Sequence, residues 1–303
     1  MHAASVLPDA AGTPGTVFMA SFYRRSRVLT SSAWSGKYKR VSFFVALALG
    51  LVVVTSLLHG GLLSRTPLAN GCHHVYIDLG TNLGVQIRKL YEPHLFPGAL
   101  ALANFDRYFG PGNRSDVCAF GFESNPRHAS VLTTLVERYV SLGRTVDVYA
   151  AAAGCDNGFV EFVPDLEPDA RDNAEWGASV KALSTVMSPA SGAVVRMVGL
   201  PDWLEQHVLQ RRLPRPDSSQ PLSRPPTLLL KLDIEGADVG VLRCLLQSGA
   251  LCAFAYVSFE ARHVPAAVAA ELQADLLQRG CVTRLQDLDD ESYHTFGWVP
   301  DAP

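Results

Sequence analysis

Short, continuously apolar runs alternate with amphipathic stretches over the last 230 or so residues of the chain, and most of the runs end in an acid or a glycine. The runs predict strands over 75–78, 117–123, 145–151, 158–163, 227–233, 254–260, 282–285 and 295–299. The stretches between them predict helices over 85–91, 127–140, 237–247 and 266–279. Buried strands separated by helices indicate an α/β fold with a doubly wound, mostly parallel sheet, on which an antiparallel closing strand is common.

Two stretches do not follow this alternation, and we interpret both as insertions. They cover residues 92–115 and 210–226. The second holds five prolines and four arginines, a composition typical of a solvated surface loop. A lid, or a clamp for an anionic substrate, is the alternative interpretation.

The first seventy residues of the chain have the pattern of a membrane anchor. Residues 41–63 form an uncharged stretch of 23 residues, long enough to cross a bilayer. Six basic residues lie between positions 24 and 40, and no acid occurs between Asp9 and Asp78. This asymmetry predicts a cytoplasmic tail over 1–40, a transmembrane anchor over 41–63, a linker over 64–73 and a domain over 74–303 that faces the lumen of the Golgi or endoplasmic reticulum. An organelle transit peptide and a cleaved signal peptide are the alternatives.

Composition excludes several classes of protein. Hydrophobic residues make up 48% and charged residues 18% of the chain, which excludes a disordered tail protein. The net charge of -3 gives no basis for binding nucleic acid. All six cysteines follow residue 70, where a lumenal domain permits disulfides, but fifteen pairings are possible. No CxxC pair supports a zinc site.

The first candidate binding loop follows the first predicted strand and reads DLGTNLG, residues 78–84. Gly80 and Gly84 permit a tight turn and close approach of the backbone to a ligand. The acid Asp78 suits the ammonium group of an amino-acid moiety better than a pyrophosphate. The dinucleotide fingerprint GxGxxG fails because Asn82 and Val85 occupy its second and third glycine positions. The loop therefore favours S-adenosylmethionine over NAD.

A second acid, Glu123, ends the next strand within FESNP, residues 122–126. A carboxylate at this place in the topology can accept hydrogen bonds from both ribose hydroxyls of a nucleoside. We therefore predict that Asp78, Gly80, Gly84 and Glu123 bind the cofactor.

Candidate catalytic groups follow the fourth and fifth strands of the predicted sheet. Lys231, Asp233 and Glu235 are spaced to share one face of a strand, where three charges are costly unless they face a cleft. His263 can accept a proton near neutral pH. Asp233 is the first candidate for base or hydroxyl orienter and His263 the second. Asp233 and Glu260 offer a cation only two oxygens, so we predict no metal site.

In this order and spacing, DLGTNLG, FESNP, KLDIEGAD and SFEARH resemble the FkbM family of S-adenosylmethionine-dependent methyltransferases over roughly residues 74–263. The resemblance implies the class I methyltransferase fold and transfer of a methyl group to a hydroxyl oxygen. It implies that Asn82 binds the cofactor together with Asp78, Gly80, Gly84 and Glu123. It also implies that Asp233 and Glu235 lie beside the reacting centre. Ser124 stands where the family often has proline. The segment over 152–158 should hold the adenine, although Asp156 is its only acid.

The sequence thus predicts a membrane-anchored enzyme that uses S-adenosylmethionine. A lumenal domain suggests a hydroxyl on a glycan or glycolipid as acceptor, and a small molecule remains open. Two other functions compete with this interpretation. One is a nicotinamide-dependent oxidoreductase on a similar sheet, and the other is a non-catalytic membrane-anchored module that retained the fold.

Overall fold

The computed structural model describes residues 66–112, 114–165, 177–182, 193–215, 224–288 and 290. The predicted tail over 1–40, the predicted anchor over 41–63, the strand over 295–299 and the centre of the 210–226 stretch lie outside the described residues. Among the residues that are described, no helix combines the length and the apolar character needed to span a bilayer.

The strands of the described segments form two sheets. They are β1 His74–Leu79, β2 Val117–Glu123, β3 Val146–Ala150, β4 Ala152–Gly154, β5 Gly158–Val163, β6 Ser179–Ala182, β7 Val194–Gly199, β8 Leu228–Leu232, β9 Tyr256–Phe259 and β10 Arg284–Asp287. The larger sheet has the order β10-β9-β8-β1-β2-β3, and every pairing in it is parallel. The prediction of an α/β fold with a mostly parallel sheet is confirmed.

The closing strand predicted over 282–285 overlaps β10, which runs parallel to β9 with Arg284 opposite Tyr256. The later closing strand, predicted over 295–299, lies outside the described residues, so an antiparallel final strand stays a prediction. α-Helix Ala266–Gln278 connects the two strands and returns the chain to the starting end of the sheet, which makes a parallel pairing the direct continuation.

The smaller sheet has the order β4-β7-β5-β6. The strand predicted over 158–163 is confirmed as β5, which pairs antiparallel with both β6 and β7. The strand predicted over 145–151 is confirmed as β3, whereas β4, which follows it and belongs to the smaller sheet, was not predicted. The sequence analysis missed β6 and β7, because neither is a continuously apolar run: β6 reads SVKA and β7 carries Arg196 at its centre.

The described helices match most of the predicted ones. They are α1 Val85–Tyr91, α2 Ala101–Tyr108, α3 Ala129–Ser141, α4 Leu200–Leu204, α5 Asp238–Ser248 and α6 Ala266–Gln278. Short 3-10 turns cover Pro93–Leu95, Pro126–His128 and Ala250–Ala253, and a π turn, Glu205–Leu209, continues α4. The 92–115 stretch is not merely a surface insertion, because α2 lies within it and buries Phe105 against Tyr76 of β1.

Both faces of the larger sheet are buried, which explains why its strands are continuously apolar. On β1, the side chains of Val75, Ile77 and Leu79 enter one hydrophobic cluster, and that of Tyr76 enters the cluster on the opposite face. All six residues of β1 are buried, the charged Asp78 included. Asp78, next to the last residue of this strand, is therefore shielded from solvent and can interact only with other groups of the protein or with a bound molecule.

All six cysteines are paired in disulfides. The bonds join Cys72 to Cys118, Cys155 to Cys244 and Cys252 to Cys281. The second bond ties the turn between β4 and β5 to helix α5, and the third ties the turn after α5 to Cys281, three residues past the end of α6. Three intrachain disulfides are typical of a domain that folds in an oxidising compartment.

Candidate functional site

A cleft opens at the carboxyl ends of β1, β2 and β8, where parallel α/β sheets bind their ligands. It encloses about 560 Å³, part of which is open to solvent. We refer to it as the strand-end cleft. Its walls comprise Gly80, Asn82, Phe122, Glu123, Ser124, Asn125, Ala151, Ala152, Ala153, Ala178, Ser179, Val180, Asp233, Ile234 and Glu235. Five of the eight residues predicted for cofactor binding and catalysis therefore line one space.

Glu123 is held rigidly in the wall of this cleft. The amide of Asn82 donates to its Oε2 and the amide of Asn125 donates to its Oε1, each over 2.6 Å. Asn82 presents that amide from a left-handed conformation, with φ at 50°. The imidazole Nδ1 of His128 lies 3.7 Å from the carboxylate. Because a carboxylate oxygen has more than one lone pair, both oxygens can still accept a hydroxyl donor from the cleft.

The glycines of the first loop are required by the protein's own packing. A Cβ on Gly80 would lie 1.7 Å from the backbone oxygen of Asp233, and a Cβ on Gly84 would lie 2.2 Å from Leu135 Cδ2. Both glycines have positive φ, 74° and 83°. Gly80 lines the cleft and so remains placed for ligand contact, whereas Gly84 is enclosed by α3. The predicted approach of a ligand to Gly84 stays a prediction.

Asp78 is completely buried and is not part of the cleft wall. Among the described residues, no hydrogen-bond donor reaches either of its carboxylate oxygens. Its neighbour is the Lys231 ammonium, 3.7 Å away on the adjacent strand. Burial raises the pKa of the Asp78 carboxyl from 3.8 to about 6, and Lys231 only partly opposes that rise. The predicted contact with a cofactor ammonium remains a prediction.

Strand β8 ends earlier than the sequence suggests. It stops at Leu232, so Asp233 and Glu235 lie in the turn that follows and do not share a strand face with Lys231. Lys231 still contacts Asp233, with Nζ 3.1 Å from Oδ2, and it donates to the backbone oxygen of Gly80 over 2.9 Å. Burial alone lowers the pKa of the Lys231 ammonium, but Asp233 and Asp78 outweigh it and raise the pKa above its ordinary value.

The turn brings Glu235 next to the loop after β9. Glu235 has a φ of 52°, and its Oε2 lies 3.0 Å from Nε2 of His263. Arg262 donates to Glu235 Oε1 over 2.9 Å and also pairs with Glu260. Burial raises the pKa of the Glu235 carboxyl; Arg262 opposes the rise, whereas the charge of Asp233 adds to it. One ligand atom from each of Asp233, Glu235 and His263 lies within 4.8 Å of the others.

Sequence reasoning missed two contributors to the site. Arg262 bridges the acids of two strand ends, and its position two residues after Glu260 in SFEARH was the available signal. The alanines at 151–153 form an apolar wall of the cleft; Ala152 and Ala153 belong to the 152–158 segment expected to hold adenine, but Asp156 does not line the cleft.

The arrangement offers distinct chemistry at its two ends. The end formed by Glu123 and the alanines combines an anchored acceptor for hydroxyls with an apolar wall, which suits a nucleoside. At the other end, Asp233 and Glu235 line the cleft and His263, which does not line it, contacts Glu235. Two carboxylates and an imidazole suit proton transfer or the binding of a cation.

Comparisons with known proteins add little to this geometry. No family model matches the chain, and no curated protein sequence matches it. Among solved structures, the chain is similar to that of a methyltransferase FkbM from Methylobacillus flagellatus KT, with 14% sequence identity and a TM-score of 0.34. The match covers 67% of this chain and 37% of that one, so this chain spans little more than a third of that structure. A similarity this distant does not establish a shared activity.

Proposed function

We propose that this chain is a class I methyltransferase that uses S-adenosylmethionine to methylate a hydroxyl group on a glycan, a glycolipid or a small molecule. The observation that carries the proposal is the position of Glu123. Its carboxylate is fixed by two backbone amides and faces a cleft that the first loop, the alanine wall and Asp233 all line.

The residues of the strand-end cleft fit the parts of this cofactor. Glu123 would accept hydrogen bonds from the ribose hydroxyls, and the alanines at 151–153 would pack against the adenine. Neither oxygen of the buried Asp78 carboxylate accepts a hydrogen bond from a described residue, as expected if the ammonium group of the cofactor is its hydrogen-bond donor. Because Asp78 lies behind the cleft wall, a bridging water is the simplest link between the two groups.

When bound here, S-adenosylmethionine supplies an electrophilic methyl group, and the chain supplies alignment and proton handling. Asp233 Oδ1 is buried and has no hydrogen-bond partner among the described residues, so it is available to orient an acceptor hydroxyl or to take its proton. Lys231 fixes the other oxygen of the same carboxylate. His263, held by Glu235, is the second group within reach of a proton.

We further propose that the domain faces the lumen of the secretory pathway as part of a single-pass type II membrane protein. The uncharged stretch over 41–63 and its basic flank motivate this topology. The pairing of all six cysteines in disulfides supports an oxidising compartment.

Calorimetry of the full chain in detergent tests cofactor binding. The wild type should bind S-adenosylmethionine, and Glu123→Gln should weaken that binding about ten- to hundredfold, because a hydrogen bond to a charged group is worth about 1.5–3 kcal/mol. Glu271→Gln, at an exposed acid of α6, is the control and should bind normally.

A glutamine at position 123 also loses one backbone amide partner, so the melting temperature of the variant must be measured alongside its affinity. Wild-type protein that binds NAD but no S-adenosylmethionine at millimolar concentration would overturn the proposal. Equal affinity in a folded Glu123→Gln variant would remove Glu123 from the site.

A further inference from the structure

The cluster of Asp233, Glu235 and His263 has the composition of a metal site. It combines two carboxylates with one imidazole, and one ligand atom from each lies within 4.8 Å of the others. The side chains come from two separate loops, those after β8 and β9, and are only 14–20% exposed. Oxygen donors with a single nitrogen suit divalent ions such as Mn²⁺.

The spacing of these atoms suits cation binding. Glu235 Oε2 and His263 Nε2 lie 3.0 Å apart. Two neighbouring ligands on an octahedral ion, each at about 2.1 Å, lie about 3 Å from one another. Arg262 occupies the other oxygen of Glu235, so Oε2 remains directed at the imidazole. The guanidinium therefore orients this carboxylate and leaves its second oxygen facing the imidazole, and a bound cation would replace their direct contact.

A second observation points independently to a missing partner. Asp233 Oδ1 is a buried atom without a hydrogen-bond partner among the described residues, while Lys231 engages only Oδ2 of that carboxylate. A buried carboxylate oxygen without a partner destabilises the folded protein unless it binds a cation or accepts a hydrogen bond.

The local charge balance also favours a cation. Among the described residues, four carboxylates meet at this corner, those of Asp78, Asp233, Glu235 and Glu260. The cationic groups beside them are Lys231, Arg262 and, when protonated, His263. The guanidinium is more than half exposed, so solvent screens it. A divalent ion would neutralise the excess negative charge.

We propose that Asp233, Glu235 and His263 bind a divalent cation where Asp233 and Glu235 line the strand-end cleft. Three protein ligands leave open positions on an octahedral ion for water and for the acceptor hydroxyl. A hydroxyl bound to a cation loses its proton more readily than a free one. This inference rests on the proposed methyltransferase function for the role of the ion, but the binding itself is testable without turnover.

Electron paramagnetic resonance of Mn²⁺ tests the site on the full chain in detergent, after chelator treatment. We expect one bound Mn²⁺ per chain, with a hyperfine signal from a directly coordinated nitrogen. Glu235→Gln and His263→Ala should each weaken binding by about tenfold or more, and His263→Ala should abolish the nitrogen signal. Glu271→Gln removes an exposed acid outside the cluster and should bind Mn²⁺ as the wild type does.

Glu235→Gln and His263→Ala change different loops, so the test remains decisive if one of the variants fails to fold. Thermal unfolding of each variant in the absence of metal shows whether it is folded. Absence of Mn²⁺ binding up to millimolar concentration, or equal binding by both folded variants, would overturn the proposal. Calorimetry with S-adenosylmethionine on the same preparation separates the two proposals. Cofactor binding without Mn²⁺ binding refutes the metal site alone, and Mn²⁺ binding without cofactor binding refutes the methyltransferase alone.

Discussion

At the scale of single residues, Asp78 makes the stability of the fold depend on pH. Burial raises the pKa of its carboxyl to about 6 from an ordinary 3.8. Because the folded state holds this proton more tightly than the unfolded chain does, the favourable contribution is complete below pH 3.8. It is lost as the pH rises through about 6. Above pH 6 the Asp78 carboxylate is a buried negative charge, and its nearest cation, the Lys231 ammonium, also pairs with Asp233.

Replacing this acid should therefore change stability in a pH-dependent way. Between pH 4 and pH 8, the difference in unfolding free energy between Asp78→Asn and the wild type should shift in favour of the variant by up to about 3 kcal/mol. Urea unfolding at both pH values measures the shift. Glu271→Gln should show no such change, and a constant difference for Asp78→Asn would contradict the raised pKa.

The two glycines of the first loop should differ in their sensitivity to substitution. Gly80→Ala sets a methyl group against the backbone oxygen of Asp233, which cannot move without displacing the turn after β8. Gly84→Ala meets the end of the Leu135 side chain, which can change rotamer. Both also incur about 1 kcal/mol for a left-handed backbone.

We therefore expect Gly80→Ala to destabilise the fold by about 2 kcal/mol or more beyond Gly84→Ala, within the range seen for overpacked sites. Denaturant unfolding of the two variants side by side gives the comparison. Equal losses would mean that the turn carrying Asp233 yields as easily as a leucine side chain.

At the scale of secondary-structure elements, the disulfides tie helices to the ends of the sheets. Cys155–Cys244 closes a loop with a sequence separation of 89, and Cys252–Cys281 closes one with a separation of 29. Because the entropy removed from the unfolded chain grows with loop length, the longer loop should contribute about 1 kcal/mol more.

Paired replacements of both cysteines in each bond by serine test this difference. Loss of either bond should cost about 2–5 kcal/mol, with the larger loss for Cys155 and Cys244. Melting under non-reducing conditions, with thiol counts to confirm the remaining bonds, gives the ranking. The reverse order would show that native packing around Cys252, and not loop length, controls the effect.

The elements that could be predicted are those whose polarity pattern is complete within the element. α1 is predicted at its observed bounds, and so is β2, since each is a run with sharp polar or glycine ends. The direction of β10 could not be predicted, because the same side-chain pattern serves a parallel or an antiparallel neighbour. β6 and β7 were missed because their partners in the small sheet supply stability that their own short, mixed sequences do not show.

The candidate site shows the same division. That acids follow the strands could be read from the sequence, and parallel strands bring such residues to one edge. How deeply each acid is buried could not be predicted from the sequence. Glu123 lines the cleft, but Asp78 lies behind the cleft wall because Lys231 and the flanking strands enclose the end of β1. The contact between Glu235 and His263 depends on a left-handed turn that the strand pattern did not anticipate.

At the scale of the whole molecule, the proposed topology sets which side of a membrane the disulfide-bonded domain occupies. In sealed microsomes, protease should spare a C-terminal tag and remove an N-terminal one, because the basic flank before residue 41 favours the cytoplasm. Detergent should render both tags sensitive. Digestion of the C-terminal tag in intact vesicles would reverse the assigned orientation.

The strand order also determines when the sheet can be completed during synthesis. β1 lies at the centre of the larger sheet, yet its neighbour β8 pairs Leu228 with Val75, 153 positions earlier in the chain. At about 5–20 residues per second, a ribosome needs roughly 8–30 seconds to make the intervening chain. Until β8 is made, β2 is the only one of its two neighbours in this sheet that β1 can pair with, so its other edge stays unfilled. A nascent chain at this stage displays an apolar strand edge, the kind of surface that chaperones shield and that aggregation uses.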